Sequence, residues 1–156
     1  METTRVLFVC LGNICRSPTA EAVFAKRVRD EGVAHLFEID SAGTGDWHVG
    51  ELAHPRTRET ADRRSTPITH RARTVRLEDF ERFDLLVAMD RSNVTNLHRL
   101  AGSDEHRAKV RLFREFDPEA GAGHEVPDPY YTGQFDEVFD ICERAAAGLL
   151  SHLRTR

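Results

Sequence analysis

The segment Cys10-Leu11-Gly12-Asn13-Ile14-Cys15-Arg16-Ser17 sets a thiol ahead of an arginine and a hydroxyl, with five residues between the thiol and the arginine. That spacing suits an oxyanion site. The backbone N–H groups of a tight loop that opens a helix can all point inward and cradle a phosphate. Gly12 and Asn13 are residue types that accept the left-handed backbone such a loop needs. Arg16 offers a planar fork with a fixed charge that can grip two phosphoryl oxygens. The same amides, the helix N-terminus and Arg16 favour Cys10 as a thiolate, the form in which sulfur is a nucleophile. Ser17 can donate a hydrogen bond to that sulfur and ease its departure in a second step. The competing reading of Cys10 is a small core residue that ends a strand, the common fate of a free cysteine.

A leaving group needs a proton. Asp128, in Val126-Pro127-Asp128-Pro129-Tyr130-Tyr131, is the candidate donor, with a proline on either side to stiffen the backbone. Its other reading is a plain Asp-Pro turn. Tyr130 and Tyr131 are either a hydrophobic anchor or an aromatic wall for a substrate ring.

These groups need a frame. Arg5–Cys10 is a continuous apolar run, as for a strand buried on both faces. A helix is predicted over Pro18–Glu31, with Ser17 as N-cap, Pro18 first, Glu21 helping to close the first turn and Gly32 as terminator. Further strands fit Phe37–Ser41, Asp84–Met89 and Lys109–Phe113, with Gly43 and Gly45 in a loop after the second. Helices fit Pro55–Arg64, poor in apolar residues, and Arg91–Leu100. A loop spans Asp117–Pro129. The closing helix, Phe135–Leu153, carries an apolar stripe through Val138, Phe139, Cys142, Ala146, Leu149 and Leu150. Alternating strands and helices predict one α/β domain over residues 1–156. Its four-stranded parallel sheet would be doubly wound, with helices on both faces and the phosphate-binding loop after strand 1. Cys10 then lies at the carboxyl end of the first strand, where such sheets bind ligands.

With 156 residues the chain is long enough to bury a core without staples. Its 22 basic and 26 acidic residues give −4, which argues against a nucleic-acid binder. Arginines do cluster between residues 56 and 76, as a solvated face or as a docking patch for an acidic partner. Three cysteines make no disulfide framework and suit a reducing cytoplasm. The apolar run at Val6–Leu11 is too short for a secretion signal, and no stretch approaches a membrane span. A cytoplasmic monomer is the expectation.

LFVCLGNICRSPTAEAVF, SAGTGDWHVG, FDLLVAMDRSN and VPDPYY followed by FDEVFD, in that order, closely resemble the low-molecular-weight protein tyrosine phosphatases, and the likeness covers nearly the whole chain. The resemblance implies hydrolysis of phosphotyrosine in proteins, and of small aryl phosphates, through a phosphocysteine on Cys10. Arg16 would bind the phosphoryl group, with the backbone of Leu11 to Cys15 around it. Asp128 would protonate the leaving phenolate and then deprotonate the attacking water. It further implies that Ser17 steadies the thiolate, and that Asn13, Ser41 and His70 support the loop by hydrogen bonds. Trp47, Tyr130 and Tyr131 would wall the tyrosine ring. Phosphate would be product and inhibitor. Cys15 would be a redox partner able to form a reversible disulfide with Cys10, if it is not simply a packing residue. The Arg-rich, apolar-poor stretch from Pro55 to Ser65 departs from the family's pattern.

Arsenate reduction on the same fold is the nearest rival, but nothing between Cys15 and Cys142 could relay a disulfide outward. A non-catalytic phosphate-binding module has no use for a nucleophile, a stiffened acid and a fixed arginine together. No metal site is expected, since Cys10 and Cys15 lack a matching ligand pair. The loop also lacks the lysine of a nucleotide-binding loop. No cofactor is required where Arg16 and loop amides supply the positive field.

Overall fold

The computed structural model describes residues 3–121 and 123–155; Ala122, inside the loop expected over 117–129, and the extreme ends of the 1–156 span lie outside them. The first apolar run forms β1 (Thr4–Cys10), with its last five residues buried. α1 (Arg16–Asp30), a 3-10 turn at Ala34–Leu36 and β2 (Phe37–Gly43) follow. α2 (Pro55–Arg63) and α3 (Leu77–Arg82) precede β3 (Leu85–Ala88). α4 (Arg91–Leu100) and α5 (Asp104–Arg107) precede β4 (Val110–Leu112). A second 3-10 turn, Phe113–Phe116, leads to α6 (Pro129–Thr132) and α7 (Phe135–Arg154).

The four strands form one parallel sheet in the order β2-β1-β3-β4. Strand order reverses around β1, so the open crevice lies at the carboxyl ends of β1 and β3. Alternation along β1 feeds two cores. Val6, Phe8 and Cys10 join the layer of α1 and α7, whereas Leu7 and Val9 pack with Phe80, Phe83 and Leu97 on the other face. Phe8 anchors the strand that ends in Cys10. Its ring meets Phe24 at 5.7 Å and Phe113 at 5.2 Å, both edge-on. Each such pair contributes about 1 kcal/mol beyond its burial.

Some expectations change. α1 begins at Arg16, and its N-cap is Cys15, with no side-chain cap. Ser17 is therefore inside the first turn, and its hydroxyl is committed to other partners. Glu21 does not close that turn; its carboxylate accepts from Ser41 Oγ at 2.5 Å. Gly32 ends the helix as expected, at φ +73°. β2 runs on to Gly43 because β1 offers it a partner as far as Cys10. The loop expected through Pro129 stops one residue earlier, since Pro129 opens α6 and Asp128 caps it.

The Arg-rich α2 forms with only Thr57, Thr60 and Ala61 buried. Charge does the work that an apolar stripe does elsewhere. Arg56 lies over the Phe135 ring at 4.5 Å and Arg64 over Phe139 at 4.6 Å. Arg63 pairs with Asp136 at 3.3 Å; Arg64 pairs with Asp140 at 2.6 Å and with Glu143. Arg58 donates to Ala53 O, Arg71 to Gly50 O, and Arg73 to Asp40 and Asp79. Most of this basic run is thus consumed inside the molecule rather than offered to a partner.

Candidate active site

The loop from Leu11 to Cys15 turns back over the end of β1, and Asn13 takes the left-handed conformation at φ +57°. Gly12, expected to share that conformation, does not. Cys10 is 3% exposed. Its sulfur lies 3.0 Å from Ser17 Oγ and accepts from Asn13 N–H at 3.3 Å. Among the described residues the N–H groups of Gly12, Ile14 and Cys15 have no protein acceptor. With the uncapped start of α1, they form an anion cradle around the thiol.

Asn13 fixes the loop from behind. Its Nδ2 donates to Ser17 Oγ at 2.7 Å and Ser41 Oγ at 3.0 Å. Its Oδ1 accepts from the Arg73 N–H at 3.0 Å and faces His70 Nε2 at 2.8 Å. Because Ser17 Oγ already accepts from Asn13, its single hydrogen is free to point at the sulfur. Ser17 Oγ can therefore donate to the Cys10 sulfur, the arrangement a thiolate requires. The structure brings Asn13, Ser17, Ser41 and His70 together, but it turns the Asn13 side chain away from the cavity. Of the residues expected to touch substrate, Asn13 alone is absent from the cavity lining.

Arg16 is 3% exposed. Nη1 donates to Asp90 Oδ2 at 2.7 Å and to Val126 O at 3.0 Å; Nη2 reaches Asp128 Oδ2 at 3.5 Å. Burial opposes its charge, but the neighbouring Cys10 sulfur, Asp90 and Asp128 outweigh that and hold the guanidinium above its ordinary range. The Nε–H and the second Nη2 hydrogen remain for a ligand, and together they form the bidentate edge of the fork. Asp128 is itself pinned, its Oδ1 accepting from the Tyr130 N–H at 3.0 Å.

These groups border an open cavity of about 210 Å³. Leu11, Gly12, Ile14 and Cys15 line its base; Trp47, Tyr130 and Tyr131 stand at its mouth, all more than half exposed. Tyr130 and Tyr131 pack edge-on at 5.3 Å. Trp47 lies flat over Gly45, where a Cβ would come 2.0 Å from the indole Cζ3. Cys15 is buried with Ile14, Ala72 and Phe135. Burial pushes its thiol up to about 12, with the neighbouring Thr57 hydroxyl pulling it the other way. Cys142 is fully buried on α7, and desolvation raises its thiol far above the ordinary range.

Two cavity neighbours escaped the sequence reading. Asp90 caps α4 at the end of β3, the same kind of strand-end position as Cys10, and that placement was the available signal. His48 lies on the rim over Gly12, with Nδ1 3.2 Å from Glu51; its sequence neighbourhood carries no such signal. Among the described residues, the His/Cys/Asp/Glu set spaced to hold a metal ion is Glu21, Asp40 and His70, behind the loop rather than in the cavity.

Anion cradles of this build, at the switch point of a parallel sheet, belong to proteins that handle phosphate groups. Comparison with known proteins narrows that class. Residues 5–156 match the profile of the family described as low molecular weight phosphotyrosine protein phosphatase. The chain is 50% identical over 155 residues to a low molecular weight protein-tyrosine-phosphatase of Streptomyces coelicolor, covering 97% of this chain and 94% of that one. It is 40% identical to a low molecular weight phosphotyrosine protein phosphatase of Sus scrofa, covering 97% of each. The crystal structure of a protein tyrosine phosphatase from Entamoeba histolytica superposes with a TM-score of 0.93 at 36% identity, covering 98% of each chain. The chain belongs to the low molecular weight phosphotyrosine protein phosphatase family, a family of hydrolases.

Proposed function

We propose that the protein hydrolyses phosphotyrosine in proteins, and small aryl phosphates, through a phosphocysteine on Cys10. The observation that carries this reading is the 3.0 Å contact between Ser17 Oγ and the Cys10 sulfur on the floor of a cradle in which, among the described residues, the Gly12, Ile14 and Cys15 amides have no protein acceptor. A phosphoryl group seated there meets the loop amides and the free edge of Arg16. The sulfur attacks phosphorus in line, and the P–O bond to the phenolate breaks. Asp128, at the cavity wall, gives the leaving oxygen its proton. In the second step Asp128 takes a proton from water, the water oxygen attacks phosphorus, and the sulfur leaves onto the Ser17 hydrogen. Tyr130, Tyr131 and Trp47 hold the ring that a serine substrate lacks. The three cysteines are free, which fits a reducing cytoplasm. Cys142 is sealed in the core, so it offers no route for the disulfide relay of an arsenate reductase.

The test is phosphate release from a phosphotyrosine and a phosphoserine peptide without added metal, for wild type, Cys10→Ser and Asp128→Asn. Selective cleavage of phosphotyrosine is expected, abolished by Cys10→Ser and slowed roughly a hundredfold or more by Asp128→Asn. Activity that survives Cys10→Ser would sink the reading.

A further inference from the structure

His54 stands where three parts of the site meet. It is the N-cap of α2, and its backbone N–H donates to Ile14 O at 2.9 Å. Its ring meets Phe135 at 5.3 Å and stands edge-on to Tyr130, at the cavity mouth, at 6.1 Å. We propose that His54 is a positioning residue for the phosphotyrosine hydrolysis inferred above, holding the Ile14–Cys15 peptide and the Tyr130 wall in place only while its imidazole is neutral. The effect on rate rests on that reading of the function; the coupling of ring to loop does not.

The backbone contact aims one of the cradle amides. A trans peptide points its C=O and N–H in opposite directions. With Ile14 O held by His54, the Cys15 N–H of the same peptide is turned to the other side, where it has no protein acceptor among the described residues. His54 is itself held by its side chain. Nδ1 accepts from the Arg56 N–H in the first turn of α2 at 3.1 Å. A ring nitrogen that accepts carries no hydrogen, so the neutral imidazole keeps its hydrogen on Nε2. A proton on Nδ1 would set two N–H groups against each other, and the cap would be lost.

The surroundings disfavour that proton. Arg56 lies over the Phe135 ring at 4.5 Å and donates to Gly133 O, just beyond α6. The other basic group that bears on the ring is His48, on the rim, whereas α6 and α7 present the rings of Tyr130 and Phe135. A helix N-terminus also repels a cation. Burial, and then Arg56 and His48, lower the pKa of His54 from the ordinary 6.5. The cap is therefore intact at neutral pH and is lost as pH falls below 6.5. The usual capping residues, Ser, Thr, Asn and Asp, still accept a hydrogen bond over this range. Histidine makes the cap of α2 titratable.

The full chain is assayed on a phosphotyrosine peptide from pH 5 to 7.5 at constant ionic strength, as wild type, His54→Asn and His54→Phe, with circular dichroism to check folding. Asparagine sets an oxygen where Nδ1 stands and accepts without titrating; phenylalanine keeps a ring but has no acceptor. The titrations of Cys10, Asp128 and the substrate phosphate are shared by all three, so ratios of kcat/KM remove them. The ratio of wild type to His54→Asn should fall about fivefold from pH 7.5 to 5, the worth of one helix cap. His54→Phe should lose about fivefold at pH 7.5, where wild type keeps its cap. In NMR spectra of wild type, the Cys15 amide should shift with the midpoint of the His54 ring, a component absent from His54→Asn. A ratio constant to within about twofold, full activity of His54→Phe at pH 7.5, or a Cys15 amide that ignores the ring overturns the role of His54. A wild type that releases no phosphate sinks the phosphatase reading instead, and the NMR titration then decides the coupling by itself.

Discussion

Glu21 offers a quantitative test of the region behind the loop. Burial pushes its carboxyl up to about 7 from an ordinary 4.5, reinforced by Asp40 and opposed by the Ser41 hydrogen bond and by Arg73. The folded carboxyl thus keeps its proton to higher pH than the unfolded one. Between about pH 4.5 and 7 the folded state binds the extra proton, so stability falls as pH rises through that window. At roughly 1.4 kcal/mol per pH unit, the whole interval corresponds to about 3 kcal/mol. Glu21→Gln removes the titration while keeping an oxygen for Ser41 Oγ–H. His70 acts with the opposite sign: burial lowers its pKa, against Asp40 and helped by Arg73, so its stability is present above pH 6.5 and is lost as pH falls. It stands in both proteins, but its Nδ1 lies 3.4 Å from Glu21 Oε1 and the two titrations are coupled, so the comparison is repeated with His70→Gln in both chains. Urea unfolding at pH 4.5 to 7.5, in chelator and at constant ionic strength, should show the variant gaining about 3 kcal/mol on wild type across the window. A difference flat to within about 0.5 kcal/mol, or one of opposite sign, refutes the argument.

Gly45→Ala should drive the indole of Trp47 off its seat, since the added Cβ meets the ring at 2.0 Å. Steady-state kinetics should show KM for a phosphotyrosine peptide rising about tenfold, roughly the worth of one aromatic contact, with kcat little changed. Asp90→Asn should lower kcat/KM about tenfold or more while unfolding curves stay put, because asparagine caps α4 as well as aspartate but no longer holds Arg16 by charge. Equal losses of activity and stability would count against the separation. Burial holds the Cys15 thiol well above its ordinary range, so little of it is thiolate at pH 7. After peroxide treatment, formation of a Cys10–Cys15 disulfide should therefore speed about tenfold per pH unit from 7 to 9, followed by mass spectrometry of quenched samples; a rate independent of pH would exclude Cys15 thiolate as the attacker.

The strands were legible because a sheet buried on both faces leaves continuous apolar runs, as in Val6 to Cys10 and Leu85 to Met89. Cys10, Arg16 and Ser17 were legible because one loop carries them, so spacing alone sets their geometry. Asp128 was legible through its flanking prolines. Asp90 was not, because its pairing with Arg16 joins two strand ends that only the tertiary fold places side by side. The N-cap of α1 was misplaced for a related reason: Ser17 has the chemistry of a cap, but the sulfur competes for its hydroxyl. Asn13, expected both around the substrate and as a support of the loop, turns its side chain away from the cavity onto Ser17, Ser41 and His70, a distinction that depends on which way a side chain turns. α2 was weakly marked because its partners are charges and rings on α7, which leave no apolar period to read.

That attachment of α2 has a consequence for motion. His54, the N-cap of α2, donates its backbone N–H to Ile14 O at 2.9 Å, and Thr57 on α2 stands beside Cys15. One wall of the phosphate loop is thus moored through a helix whose own mooring is largely electrostatic. Exposed ion pairs weaken as salt is added, whereas burial of apolar surface does not. Raising ionic strength should quicken amide hydrogen exchange across residues 55–63, and then at Ile14 and Cys15, while β1 and β3 keep their protection. The solution's salt content, and not only its pH, would then set how often the rim of the catalytic cradle opens.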